Sequence, residues 1–227
     1  MSTTVADGRA NPRPHRDPLT RERIVETALR LMDEEGLQAV TMRRVGRELG
    51  VEAMSLYNHV ADKQDLLRGV VEAVMAGFEF PEDGDDWREA ARRAARAWRT
   101  LLKAHPNVIT LMSGQRKPMT SVVALRPTEH AISILGRAGL SNAETVRAFR
   151  AFGGYVQGFV MAEIANMFGR EDADVLLDDV VRTIPLEELP TLAAHVEYLF
   201  NRDLDADFEY GLDLMIRGLE AKAANGG

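Results

Sequence analysis

The sequence contains no cysteine. Disulfides, thiolate catalysis and zinc sites built on sulfur are therefore excluded, and a reducing compartment is expected. No apolar run approaches the roughly 20 residues that span a bilayer. The first residues carry Arg9, Pro12, Arg13, Pro14 and Arg16 where a secretory signal would need an apolar core. The expected location is cytoplasmic, with no membrane partner. No segment of useful length alternates with the two-residue period of a strand, and no internal repeat is present. The usual catalytic signatures are missing too: there is no glycine-rich phosphate loop between strand and helix, no nucleophile elbow and no histidine pair at metal spacing. The histidines, at 15, 59, 105, 130 and 195, are scattered. An enzyme would have to assemble its site from distant residues, and neither a metal nor an organic cofactor is expected.

What is present is a globular composition, 45% hydrophobic and 28% charged, far from that of disordered chains. A length of 227 residues suits a small unit attached to a medium one. The net charge of −7 argues against nucleic acid until it is divided along the chain. Residues 1–68 carry 11 Arg/Lys and 11 Asp/Glu, whereas residues 69–227 carry 17 and 24, so the negative excess lies wholly in the second part. Basic groups of the first part remain available to phosphate, although the same balance also suits an ordinary neutral domain.

Cap residues and apolar periodicity divide the chain into helices. Residues 1–18 hold three prolines and almost no apolar period, and read as a disordered arm. Thr20 can cap a first helix, with Leu19 and Ile24 as a hydrophobic staple, Ile24, Ala28 and Leu31 on one face and Gly36 as the stop. Thr41 opens a short helix whose inward face is Met42, Val45 and Leu49, closed by Gly50. After a tight turn, a helix from Ala53 to His59 buries Leu56 with Val60 and turns Ala53, Met54, Ser55, Tyr57, Asn58 and His59 outward. Two short helices joined by a glycine-containing turn define a helix-turn-helix. Asp62 then caps a long helix through Leu66, Leu67, Val70, Val71 and Val74 towards Phe78, where Pro81 and the acidic stretch to Asp86 interrupt it. The helix-turn-helix unit is bounded at residues 19–67 and a larger domain at 68–227.

In that larger domain Asp86 and Glu89 have capping-box spacing ahead of a helix over 87–105, and Pro106 starts a shorter one. A helix over 118–139 should bend near Pro127. The stretch 142–168 is the most apolar, with Val146, Phe149, Gly153, Val156, Val160, Ile164 and Met167 on one face and Phe152, Tyr155 and Phe159 on another, so it must be covered on two sides. Residues 169–190, acidic and containing Pro185 and Pro190, read as a loop. A last helix over 203–223 carries Leu204, Phe208, Leu212, Met215 and Leu219 along one side. The expected fold is all-α: a three-helix N-terminal DNA-binding unit and a larger C-terminal helical bundle.

The segment Thr41 to Lys63, TMRRVGRELGVEAMSLYNHVADK, closely resembles the TetR-family DNA-binding signature, with Gly36 and the first helix at the expected distance. The resemblance runs from about Thr20 to Val74. The ending Phe208 to Glu220, FEYGLDLMIRGLE, resembles the last helix of the family's tetracycline-repressor branch, and the middle matches in helix count and order. Physically, a major groove about 12 Å wide admits one helix whose side chains meet donors, acceptors and methyl groups. Arg43, beside Thr41 at the start of its helix, reaches guanine or phosphate, while Ser55, Tyr57, His59 and Lys63 suit phosphate oxygens. Asn58 and Met54 are the candidates for base edges. Alternatively, Tyr57 and His59 pack on the first helix and touch no DNA. Ala53 and Met54 stand where the tetracycline-repressor branch has glutamine and proline, and one hydrogen bond to a base is worth about 1–3 kcal/mol in discrimination, so a different operator is expected.

The resemblance further implies a homodimer held by a four-helix bundle made from the 142–168 helix and the last helix of two chains. Gly154, Val156, Gly158 and Val160, with Phe208, Leu212 and Met215, are the interface candidates. Each glycine costs about 1 kcal/mol relative to alanine in a helix, which a close helix crossing would offset; alternatively the glycines relieve crowding inside one chain. Phe78, Trp98, Met112, Phe149, Phe152 and Tyr155 could line a ligand pocket or simply form core. His105 and Gln115 are the polar candidates, and each also suits a helix end. Met112 falls where the tetracycline-repressor branch has a metal-coordinating histidine, and a thioether binds magnesium poorly, so a largely apolar effector bound without metal is expected. The resulting expectation is a transcriptional regulator, by family habit a repressor, released from an imperfectly palindromic double-stranded operator by a small molecule. The rivals are a helical interaction module and an enzyme.

Overall fold

A computed structural model describes residues 18–80, 84, 86–114, 121–165, 183–200 and 203–224. The arm up to residue 17, Gln115, Met167 and the acidic stretch 169–182 lie outside the described residues. Every regular element among those described is helical.

Local chemistry fixes the first elements. Helix α1 (Arg21–Glu35) starts where the Thr20 hydroxyl accepts the Arg23 N–H, and stops at Gly36, whose φ of 86° suits glycine. A 3₁₀ turn, Leu37–Ala39, leads into α2 (Met42–Leu49), capped by Thr41 and closed by Gly50 in the left-handed region at φ 67°, ψ 32°. Helix α3 (Ala53–Leu56) is a single α-turn. The expected helix to His59 tightens early, because the N–H groups of Tyr57, Asn58 and His59 reach back three residues, to the carbonyls of Met54, Ser55 and Leu56. Close approach of α2 and α3 depends on Gly46, where a Cβ would sit 3.0 Å from the Val51 carbonyl and 3.2 Å from the Ala53 nitrogen. Helix α4 (Lys63–Ala76) begins at Asp62, whose carboxylate accepts the Asp65 N–H at 2.7 Å.

Ile24, Ala28, Leu31, Val45, Leu56, Leu66 and Val70 form the fully buried centre of the N-terminal unit. That centre does not end at the unit's edge: Val108 and Leu111 of α6 (Pro106–Gly114) and Ala124 of α7 (Val122–Gly136) belong to it. The sequence boundary at residues 67 and 68 thus falls inside one continuous helix, α4, which packs on α1 and on α7.

The second core lies between α5 (Trp87–Ala104), α7, α8 (Asn142–Ile164) and the last helix, and centres on Leu102, Ile134, Val160, Phe208, Leu212 and Ile216. Short helices α9 (Pro190–Ala193) and α10 (Val196–Phe200) precede that last helix, α11 (Leu204–Ala224). Residues 183–190, expected as loop, include a 3₁₀ turn at Leu186–Glu188. Asp86 caps α5, but Glu89 turns to Arg92, Arg93 and Arg96 and closes no capping box. The reciprocal box forms at Ser141 and Glu144.

A ladder of opposite charges joins α5 to α11. Arg88 meets Glu220, Arg92 meets Asp213 at 3.0 Å, Arg96 meets Glu209 at 2.6 and 2.8 Å, and Arg99 meets Asp205 at 2.7 Å. The pairing runs antiparallel and fixes which face of α11 turns inward, while each exposed pair adds little stability. Arg99 is the most buried of the four arginines. It grips Glu163 of α8 through two hydrogen bonds of 2.7 and 2.8 Å and lies 4.6 Å above the Phe208 ring. Burial pushes the Glu163 carboxyl up, but hydrogen bonds from Arg99 and Lys103 outweigh it and leave the group below its usual range.

This packing corrects part of the expected dimer interface. Val156, Val160, Phe208 and Leu212 are 2% exposed or less within a single chain, so they fill the chain's own core and cannot meet a second one.

Candidate DNA interface and internal cavity

The arginines of the N-terminal unit separate into those tied to carboxylates and those left outward. Arg21 makes a two-pronged bond with Asp65 at 2.8 and 2.9 Å, and that carboxylate also accepts the Ala61 N–H at 2.9 Å. Hydrogen bonding to Arg21 holds the Asp65 carboxyl well below the usual carboxylate range. Arg30 and Arg44 share Glu48 at 2.7 and 2.6 Å, and Arg44 also reaches Glu35 at 2.5 Å. By contrast Arg43, Arg47 and Lys63 form no ion pair among the described residues, and Arg43 and Arg47 are exposed one turn apart on α2. Both border an open groove that also touches Thr41, Arg44, Glu52 and Ala53, at the joint between α2 and α3.

Around that groove Met54 is 71% and Tyr57 45% exposed, and Asn58 is exposed too. Ser55 and His59 are half-buried, and the His59 carbonyl accepts Arg21 at 3.1 Å. Tyr57 does not pack into the core against α1. Sequence reasoning missed Arg47, although its spacing of four from Arg43 already placed the two on one helical face.

Deeper in the molecule is a cavity of about 150 Å³. The structure brings Phe78, Trp98, Met112, Phe149 and Phe152 together in its wall, along with Val156. Thr128 and His130 of α7 and Gln157 of α8 also line it. They went unnoticed in the sequence because single polar residues on amphipathic helices look like solvent-facing positions. The Phe78 ring meets the Trp98 ring edge-on at 5.9 Å.

Two pocket candidates are elsewhere. His105 ends α5, and its Nδ1 lies 2.8 Å from Asp33 of α1, while Asn107 donates to the Met32 carbonyl at 3.0 Å. Together these pin the start of α6 to the end of α1. Tyr155 points towards α11: its hydroxyl donates to the Phe208 carbonyl at 2.9 Å and its ring stacks on Phe208 at 5.5 Å. Gly211 makes this packing fit, since a Cβ there would overlap the Tyr155 ring.

Gly154 and Gly158 of α8 have no crowding to relieve among the described residues, because a Cβ on either would meet none of them within 4 Å. They lie on the outer side of α8 beside Met161, 55% exposed. On α11, Tyr210 is 68% and Leu214 54% exposed, with Gly218 a turn further on. Met215 is half-buried against the second core. No helix among the described residues is long and apolar enough to cross a membrane.

A helix-turn-helix with its free arginines turned outward, continuous through one helix with a bundle around an apolar cavity, defines a DNA-binding transcriptional regulator that carries its own sensing domain. The chain belongs to the TetR family: residues 24–70 match the family described as bacterial regulatory proteins, tetR family, and residues 80–223 match the tetracyclin repressor-like C-terminal domain. It is 32% identical over 225 residues to the HTH-type transcriptional repressor DrrR1 of Streptomyces coeruleorubidus, covering 93% of this chain and 82% of that one. It is 29% identical to the class C tetracycline repressor protein of Escherichia coli, covering 89% of this chain and 91% of the repressor. Among solved structures, the TetR family protein ActR of Streptomyces coelicolor in complex with actinorhodin superposes with a TM-score of 0.80 at 30% identity, covering 93% of this chain and all of ActR's, 100%.

Proposed function

We propose that the protein is a homodimeric, cytoplasmic, non-enzymatic repressor that binds an imperfectly palindromic operator and is released when a small molecule enters the cavity. Residues 19–67 act as the DNA-binding unit and residues 68–227 as the sensing and dimerising one. The carrying observation is the position of α4. Leu66 and Val70 near its start belong to the core of the helix-turn-helix, while Met75 at its end and Phe78 just beyond form cavity wall. An occupant that displaces Met75 and Phe78 displaces the helix against which α1 packs, and with it the unit that carries the recognition segment. To switch, the occupant must prefer the DNA-incompetent arrangement, and operator must then weaken ligand binding by the same factor.

Arg43, Arg47 and Lys63, with Thr41, Ser55, Tyr57 and His59, position the protein on phosphate, and Ala53, Met54 and Asn58 face the base edges. The outer faces of α8 and α11, Gly154, Gly158 and Met161 with Tyr210, Leu214 and Gly218, meet their copies in a second chain. Two recognition segments about 34–36 Å apart would then enter successive major grooves. The repressor name of DrrR1 and the actinorhodin complex of ActR support this reading by family likeness.

The test is an anisotropy titration of a duplex taken from upstream of the protein's own gene. Saturable binding by a dimer, weakening steeply with salt, is expected. Failure to prefer that duplex over a scrambled one of equal length and composition would overturn the reading.

A further inference from the structure

We propose that Met54 is an oxidation site: a hydroperoxide converts its thioether to the sulfoxide, and the recognition segment then holds the operator more weakly. This rests on the reading of Ala53, Met54 and Asn58 as the residues that face base edges. It gives that surface a second input, one that does not pass through the cavity.

Access is the first ground. The chain has ten methionines and no cysteine, so no thiolate of its own competes for an oxidant. Met32, Met42 and Met75 are buried in the N-terminal core, and Met112 and Met215 are half-buried. Among the described residues only Met54, 71% exposed, and Met161, 55% exposed, offer their sulfur to solvent. Met161 lies on the face of α8 proposed to meet a second chain. In the dimer Met54 is the open one.

Position is the second. Met54 is the second residue of α3, and the fully buried Leu56 two positions on is what holds that turn to the core. The Met54 side chain belongs to neither core, so adding an oxygen to it leaves the packing as it was. What the fold does not use, the DNA face can. Next to Met54, Ala53 borders the groove shared with Arg43 and Arg47. In the major groove the apolar partner for a thioether is the methyl group of thymine.

Chemistry is the third. A lone pair of the thioether sulfur attacks one peroxide oxygen, and an S–O bond forms as the O–O bond breaks. The departing hydroxide takes the proton left on the transferred oxygen and leaves as water, or as the alcohol if the oxidant is an organic hydroperoxide. Sulfur gives up two electrons and the peroxide gains them. The product is a polar side chain with an acceptor oxygen and no donor. Against a thymine methyl that oxygen is desolvated without a partner. Against guanine N7 and O6, or a phosphate, it meets another acceptor. Operator already in place covers Met54, so the free protein oxidises faster than the bound one.

The experiment uses the full-length protein. It is exposed to hydrogen peroxide, quenched with catalase at intervals, and divided between peptide mass spectrometry, which reads the sulfoxide at each methionine, and anisotropy titration of the duplex from upstream of its own gene. Met54 is expected to oxidise ahead of the other described methionines, and more slowly once the duplex is bound. Affinity should fall at least about five-fold as Met54 converts, with sedimentation and helical content unchanged, and methionine sulfoxide reductases A and B should restore it. Met54→Leu removes the sulfur and sets its own starting affinity, which peroxide should then leave where it was. The proposal is overturned, with the operator reading intact, if complete conversion of Met54 leaves affinity unchanged, if Met54→Leu loses as much affinity in peroxide, or if Met54 reacts no faster than the buried methionines. Untreated protein that does not prefer the duplex to a scrambled one overturns the operator reading, and this proposal falls with it.

Discussion

Three arginines of α2 lie within five residues of one another, yet they have different work. Arg44 is tied into Glu35 and Glu48, while Arg43 and Arg47 form no ion pair among the described residues, which on the proposed reading leaves them for phosphate. Each phosphate that a side chain no longer neutralises lowers the slope of log affinity against log salt by about 0.9. Arg43→Ala and Arg47→Ala should therefore each lower that slope by roughly 2 in a dimer, with helical content unchanged; a slope left as it was for either variant removes that residue from the interface. At Asp65 the prediction concerns stability. Its carboxyl is depressed in the folded chain, so the stabilisation from Arg21 is complete above the unfolded carboxylate value near 4 and is lost as pH falls below it towards the folded value. Asp65→Asn should cost about 1–2 kcal/mol at pH 7, the partial exposure of Arg21 keeping the figure low, and should flatten the acid limb of urea-unfolding stability between pH 5 and pH 3. The caps at Thr20, Thr41 and Asp62 were legible in sequence because a cap needs only its next three residues. The sorting of arginines was not, since Arg30 finds Glu48 and Arg21 finds Asp65 only after the chain has folded back.

Among the elements, α8 is where sequence and structure part most instructively. That it had to be covered on two sides was readable from its composition; which side faced inward was not. The row Phe152, Val156, Val160 and the row Gly154, Gly158, Met161 are both apolar, and what separates them is the charge ladder from α5 to α11 with Arg99 gripping Glu163. Partners 64 and 106 residues apart leave no local trace. Two glycine substitutions distinguish the inner packing from the outer face. Gly211→Ala intrudes on Tyr155 and should destabilise the monomer, by about 1–3 kcal/mol if it behaves as ordinary overpacking. A Cβ at Gly158 meets none of the described residues within 4 Å and the position is exposed, so Gly158→Leu should leave monomer stability nearly unchanged while shifting sedimentation from dimer to monomer. A Gly158→Leu protein that stays dimeric at micromolar concentration would remove α8 from the interface.

Across the whole molecule, the N-terminal core runs without a break into α6 and α7, and the fastening of α6 to α1 through His105, Asp33, Asn107 and Met32 reinforces it. In folding terms the helix-turn-helix should therefore not behave as a separable cooperative unit. Cut away after residue 80, it would lose the cover that Val108, Leu111 and Ala124 give, and its buried valines on α4 would face water. The intact chain should melt with the amides of α1, α4 and α6 exchanging at a common opening free energy, whereas independent domains would show two sets of protection. Any molecule held only in the cavity then slows hydrogen exchange at Ile24 and Leu31, side chains it never touches. The region that reads DNA would carry, in the lifetimes of its own amide protons, a record of whether the cavity is full.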